Sequence, residues 1–172
     1  MFEFDKNTTS CVLLEKGGFN MFTIFQVAKW FFNKENDISP KKLQKLCWYA
    51  YSWYIALTYD VEEKSNDYLF NENAEAWVHG PVFRVLFTDY KYHEYERTMT
   101  ADDITNVDTI DFLNDIYEVY GKFSGFELES LTHQERPWLE ARRGLDILEA
   151  SNNIISKEDI INEYLPRLKS NL

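Results

Sequence analysis

Three histidines, His79, His93 and His133, are the side chains of this sequence whose chemistry first asks for an explanation. Three imidazoles could ligate a catalytic zinc, which takes three protein ligands and keeps a fourth position open. Their spacing argues against it: no two stand four apart on a helix, and no His-Glu-x-x-His occurs. His133 with Glu135 is the pairing that a hydrolase or metal-dependent enzyme would use, yet residues two apart do not share a helix face. A nucleophile is equally hard to find. There is no Gly-x-Ser-x-Gly, and Cys47 lies in an apolar helical run that reads as core. The six glycines are scattered and form no phosphate loop. The adjacent acids Glu62-Glu63 and Asp102-Asp103 read as solvated loop charge. No catalytic residue, metal ligand or cofactor site is therefore assigned.

Three stretches remain: KLQKL at Lys42–Leu46, EAWVHGPV at Glu75–Val82 and LTHQERPW at Leu131–Trp138. The second and third set a His and a Trp beside a Pro. Trp77 and Trp138 read as a local core that fixes two chain reversals, with rings stacked on each other or on the motif prolines. His133, Gln134, Glu135 and Arg136 are polar and are expected near the surface, beside a turn that can expose His133 and Glu135, where packing alone does not explain them. They are the candidate partner-binding residues, against the competing reading of capping and loop hydrogen bonds.

The elements that must position these stretches follow from periodicity. Phe22–Asn33 carries apolar residues at 24, 27, 28 and 31, one helical face. Ser39 is a good N-cap and Pro40 a good first helical residue, so a helix should run from Pro40 to about Thr58. Its face of Leu43, Leu46, Cys47, Ala50, Tyr54 and Leu57 is widened by Trp48, Tyr49, Tyr51 and Trp53. Apolar nearly all round, it should be the buried central helix. Tyr68–Phe70 and Ala74–Val78, around Asn71-Glu72-Asn73, read as a small β-hairpin. Gly80 can take a positive φ and Pro81 can open a helix to about Tyr90, with Val82, Val85, Leu86 and Tyr90 inward. His93–Asp108 reads as a loop, with Thr100 and Asp103 as a capping box. Helices follow over Thr109–Tyr120, from Ser124, from Pro137 and from Ser156, the last disturbed near its end by Pro166. The expectation is a mainly α, compact helical domain around a buried central helix, with a small β-hairpin.

Composition narrows the function. Hydrophobic residues make up 45% of the 172 and aromatics 17%, enough for a real core. A formal net charge of -11 repels phosphate, so direct nucleic-acid binding is not expected and a basic protein partner fits better. Cys11 and Cys47 suggest neither a disulfide framework nor a zinc site, and a reducing cytoplasm is the default. No stretch approaches eighteen uncharged apolar residues, so no membrane span is expected. Residues 1–20 lack a signal-peptide pattern. Lys16-Gly17-Gly18, read back into purine-rich codons, resembles a bacterial ribosome-binding sequence two codons before Met21. Residues 1–20 are thus expected to be a leader or extension whose removal leaves the fold intact, and residues 21–172 a single domain.

KLQKLCWYAYSWYIALTYD, EAWVHGPV and YGKFSGFELESLTHQERPWLEARRG, in that order, resemble the Panacea domain, also called the SocA-like antitoxin domain, many of whose members are phage-associated proteins. The resemblance runs from about Met21 to Leu168. It implies a compact, mostly helical fold with a small β element, and an antitoxin that binds and neutralises a co-encoded protein toxin. Members pair with toxins of many unrelated kinds, and the SocA branch instead delivers its toxin to the ClpXP protease. Position by position, the resemblance covers Leu43, Gln44, Lys45 and Leu46; then Glu75, Ala76, Trp77, Gly80 and Pro81; then Leu131, Thr132, His133, Glu135, Pro137 and Trp138. Of these, Leu43, Gln44, Leu46, Trp77, Gly80, Pro81 and Trp138 are expected to be structural. His79 stands where Tyr is common in the family. No helix-turn-helix extension is evident, so the resemblance implies no DNA-binding autorepression by this chain alone.

Overall fold

A computed structural model describes residues 4–5, 21–35, 37–64 and 66–169 of the chain. Among them the fold is mainly α, as expected. Helix α1 (Ile24–Lys34) opens on a capping box in which Thr23 and Gln26 satisfy each other's backbone N–H groups. Helix α2 (Pro40–Leu57) starts where the sequence places it, with the Ser39 hydroxyl accepting from the Lys42 N–H and Pro40 in the first turn. Every residue of α2 from Lys42 onward is buried. Its rings hold the neighbouring helices. Tyr49 stacks on Tyr120 with centroids 3.8 Å apart, and Trp53 meets the edge of Tyr164 while its Nε1 donates to the Tyr120 hydroxyl at 2.8 Å. Burying each such ring contributes about 1.5–3 kcal/mol, and its polar tip is left satisfied.

The hairpin lies one segment later than the sequence suggests. Strands β2 (Glu75–Trp77) and β3 (Gly80–Val82) pair antiparallel with Ala76 opposite Pro81, joined by a turn at Val78–His79. Phe70 instead bridges in parallel to Phe22, and Ile154 bridges the outer edge of β2. Asn71–Asn73 has turn composition, but Gly80 supplies the positive φ, +93°, that closes the reversal. Pro81 therefore sits in a strand and does not open a helix; α3 runs Arg84–His93. That shift in start turns Val85 and Tyr90 outward, while Leu86 and Asp89 face in. Asp89 accepts from the Arg97 and Thr98 N–H groups and the Thr98 hydroxyl, and so builds the reversal into the short helix α4 (Glu96–Thr100). Thr100 donates to the Glu96 carbonyl rather than capping a helix at Asp103.

Asn106 caps α5 (Val107–Tyr120), two residues ahead of the expected start. Ser124 and Glu127 form a capping box for α6 (Gly125–Thr132); α7 (Arg136–Ala141) carries Pro137 in its first turn. Ser156 caps α8 (Lys157–Tyr164), which passes at Pro166 into a 3-10 turn, Leu165–Arg167. Helices α1, α3, α5, α6 and α8, with β3, all pack on α2. Phe4–Asp5 (β1) pairs in parallel with Leu168–Lys169 (β4); the rest of the segment 1–20 lies outside the described residues.

Candidate functional site

The first turns of α2 meet the hairpin through the polar side chains of KLQKL. Gln44 lies flat against Phe83: its Oε1 accepts from the Phe83 N–H at 2.9 Å and its Nε2 donates to the Phe83 carbonyl at 3.2 Å. A side-chain amide thus replaces the strand that would otherwise satisfy this backbone. Lys45 is only 1% exposed and donates to the Pro81 carbonyl at 2.9 Å. Burial pushes its ammonium down to about 7, with Lys41 adding to the fall and Glu129 opposing it. Gly80 is required twice. Beyond its positive φ, a Cβ there would stand 2.7 Å from Thr132 Oγ1 and 2.8 Å from Lys45 Nζ.

The third motif closes on the second through Trp138, whose Nε1 donates to the Trp77 carbonyl at 2.8 Å. The two indoles do not stack on each other as expected. Trp138 stacks on His133, centroids 4.1 Å apart, and Trp77 meets the edge of Phe87. Trp77 is half-buried, its Nε1 donating to Glu75, which also takes the guanidinium of Arg84. Arg142, unsuspected from the sequence, lies over the Trp138 ring and donates to the Ala76 carbonyl and to the carbonyls of Asp146, Ile147 and Glu149. It pins the loop after α7 to the hairpin.

His133, Gln134, Glu135 and Arg136 are not presented alike. Gln134 and Arg136 are exposed and His133 is half-buried. Glu135 is 6% exposed and points inward, which corrects the expectation that the turn exposes it. Its carboxylate accepts from the Tyr164 hydroxyl at 2.7 Å and the Tyr49 hydroxyl at 3.4 Å, with Arg167 also at 3.4 Å. Burial pushes its pKa up to about 7. The polar run His133–Arg136 made Glu135 look like a surface acid; the hydroxyls that receive it come from α2 and α8, far away in sequence. His133 faces other neighbours. Burial lowers its pKa, with Glu129 opposing and Lys45 and His79 adding. His133 and Glu135 thus engage separate partners, not one acid–base centre.

Around His133, residues in and just outside the three motifs form a charge cluster. Glu129 on α6 pairs with Lys41 on α2 and, at 2.9 Å, with His79 Nδ1 on the hairpin turn. Against the effect of burial, the Lys41 ammonium and the hydrogen bond with His79 hold its pKa below the usual range. Sequence reasoning missed Glu129 and Lys41. The available signal was the four-residue step from Glu129 to His133 along one helix face, as the step from Trp138 to Arg142 was for the loop pin. Beside the cluster lie two recesses, both bordered by Trp77 and His79. One, about 460 Å³, is lined by Trp77, Val78, His79, Arg84 and Ala150–Asn152. The other, about 250 Å³, is lined by residues including Lys41, Lys45, Trp77, His79, Phe87 and Tyr90. Among the described residues no group of three or more His, Cys, Asp or Glu side chains could hold a metal ion, and no helix is long and apolar enough to cross a membrane.

A family model described as antitoxin SocA-like, Panacea domain, matches residues 43–139, more than half of the chain. No curated protein and no solved structure matches.

Proposed function

The chain belongs to the SocA-like antitoxin family with a Panacea domain, and from that premise we propose that it binds a co-encoded protein toxin and neutralises it by direct occlusion. One observation carries the reading beyond family membership. The polar residues of the three motifs are bonded to the chain itself: Gln44 to Phe83, Lys45 to Pro81, Trp138 to Trp77 and Glu135 to two tyrosines. Residues used this way build a rigid frame, and a rigid frame lowers the ordering cost of binding another protein. Gln134 and Arg136 stand on the outside of that frame and are the members of the polar segment open to a partner. The net charge of -11 would steer a basic toxin and raise its encounter rate. The same reading places the protein in the cytoplasm, encoded beside its toxin on a prophage or other mobile element.

Co-expression with the product of the neighbouring reading frame tests this. Occlusion predicts restored growth, a stable complex and undiminished toxin. Restored growth with falling toxin would mean delivery to a protease such as ClpXP. A neighbour that is harmless alone and does not bind would remove the antitoxin reading.

A further inference from the structure

The loop between α7 and α8 breaks the ordinary chemistry of a turn. Gly144, at φ +85°, carries the chain out of α7. Residues 146–149 then form a tight reversal. The Glu149 N–H donates to the Asp146 carbonyl at 3.0 Å, and the Asp146 N–H donates to the Glu149 carboxylate at 3.1 Å. Arg142, buried beneath, donates to the Asp146 carbonyl at 3.2 Å and to the Glu149 carbonyl at 2.8 Å. The two corner positions of such a turn favour Pro, Asn, Asp, Ser or Gly. Here they hold Ile147 and Leu148, both strongly exposed. Neither side chain closes the turn or fills the core. A local rule broken with no gain to the fold marks residues kept for another purpose. Two adjacent aliphatic side chains on a fixed support form a preorganised anchor, because little ordering remains to be done when another surface covers them.

Charge selects what covers the pair. Asp146 and Glu149 flank it and are exposed. Neither arginine of the loop neutralises them: Arg142 is bonded to carbonyls and Arg143 is paired with Glu140. A second copy of the chain would bring another net charge of -11 against these acids. An anionic membrane surface or a nucleic acid would repel them in the same way. A protein surface with basic residues around an apolar pocket satisfies both features at once. The surface open to such a partner continues along the chain, because Ala150, Ser151 and Asn152 line the recess of about 460 Å³ with Trp77 and Val78. We propose that this loop is a docking element: Ile147 and Leu148 enter an apolar pocket on the partner protein, and Asp146 and Glu149 meet Lys or Arg side chains at its edge. This rests on the reading that the chain works by binding a protein, and it names one contact and the chemistry required opposite it.

The test uses the full chain, with the product of the neighbouring reading frame as probe. Ile147→Ser combined with Leu148→Ser should weaken the complex about thirtyfold, with an unchanged thermal melt because Ser suits the turn. Asp146→Lys should slow association about three- to tenfold at low ionic strength and hardly at all in high salt. Val61→Ser, at an exposed aliphatic on another loop, should change neither. In cells, Leu148→p-benzoylphenylalanine should photocross-link to the product at a peptide that carries apolar and basic residues. If the double variant melts early, this cross-link decides alone. Parent-like affinity in a stable double variant would overturn the proposal. So would a cross-link within the chain, to a second copy, to lipid, to nucleic acid or to an acidic peptide. Growth rescue by the unmodified chain is measured alongside. Rescue with no cross-link from position 148 removes the docking loop and leaves the antitoxin reading. The reverse follows if the product does not bind, yet position 148 cross-links to another protein of the native host at an apolar, basic peptide and Asp146→Lys weakens that cross-link. No binding and no cross-link removes both.

Discussion

Glu129, just ahead of the third motif, and Glu135, inside it, both reach α2, yet their surroundings drive them in opposite directions. Glu135 is enclosed by two tyrosine hydroxyls, with the Arg167 guanidinium only at 3.4 Å, and its pKa rises to about 7. Glu129 is nearer the surface, in direct contact with Lys41 and His79, and its pKa falls. The hydroxyls and a guanidinium at 3.4 Å do not outweigh the nearly complete loss of water at Glu135, whereas the Lys41 ammonium in contact with the far less buried Glu129 does. One acid is built as part of the core and the other as part of an electrostatic surface.

The largest expected effect is on the interior member. Glu135→Ala leaves two buried hydroxyls without their acceptor, and Arg167 with Glu163 alone, and should cost about 3–5 kcal/mol in urea denaturation. Glu135→Gln, which keeps an acceptor oxygen, should cost less than half of that. A loss below about 1 kcal/mol for Glu135→Ala would mean that water replaces the carboxylate and that the contrast is illusory. Combining Glu135→Ala with His133→Ala should therefore lower stability first, with any failure to neutralise a toxin following in proportion.

The pH dependence sharpens the same contrast. Glu135 binds its proton more tightly folded than unfolded, so its stabilisation is complete below pH 4.5 and is lost as the pH rises through 7. The Gln variant should flatten that decline, which amounts to about 1–3 kcal/mol. Lys45, lowered from 10.5 to about 7, behaves in the other sense: its cost is complete below pH 7 and is relieved between 7 and 10.5. Together they predict a stability minimum near neutral pH. Lys45→Met should compare more favourably with the parent at pH 6 than at pH 9, whatever it loses at Pro81. The contribution of Glu129 changes only in acid. Its contribution is present above pH 4.5 and is lost as the pH falls through its lowered folded value. Glu129→Gln should accordingly be the mildest change, about 0.5–1 kcal/mol at pH 7. A loss as large as that of Glu135→Ala would erase the distinction between the two regions.

What the sequence revealed divides along a physical line. Helix α2, its Ser39 cap and its all-round burial were readable, because caps and periodicity are local. The capping box at Ser124 and the start of α7 at Pro137 were readable for the same reason. The hairpin was displaced because two turn candidates competed, and the deciding contact, Lys45 and Thr132 against Gly80, is long-range. Glu135 looked like a surface acid because its hydroxyl partners stand on α2 and α8. Trp77, expected to be structural, is half-buried rather than enclosed, so Trp77→Ala should fall short of the 3–5 kcal/mol of a fully buried ring.

Arg142 holds its loop entirely by backbone carbonyls, those of Asp146, Ile147 and Glu149. Main-chain oxygens are common to every amino acid, so the clamp is indifferent to what the loop spells. Ile147 and Leu148 project outward from it at 80% and 78% exposure. A lineage could rewrite those letters while the loop kept its shape, changing the surface it shows without relearning how to fold. A designer could do the same by grafting.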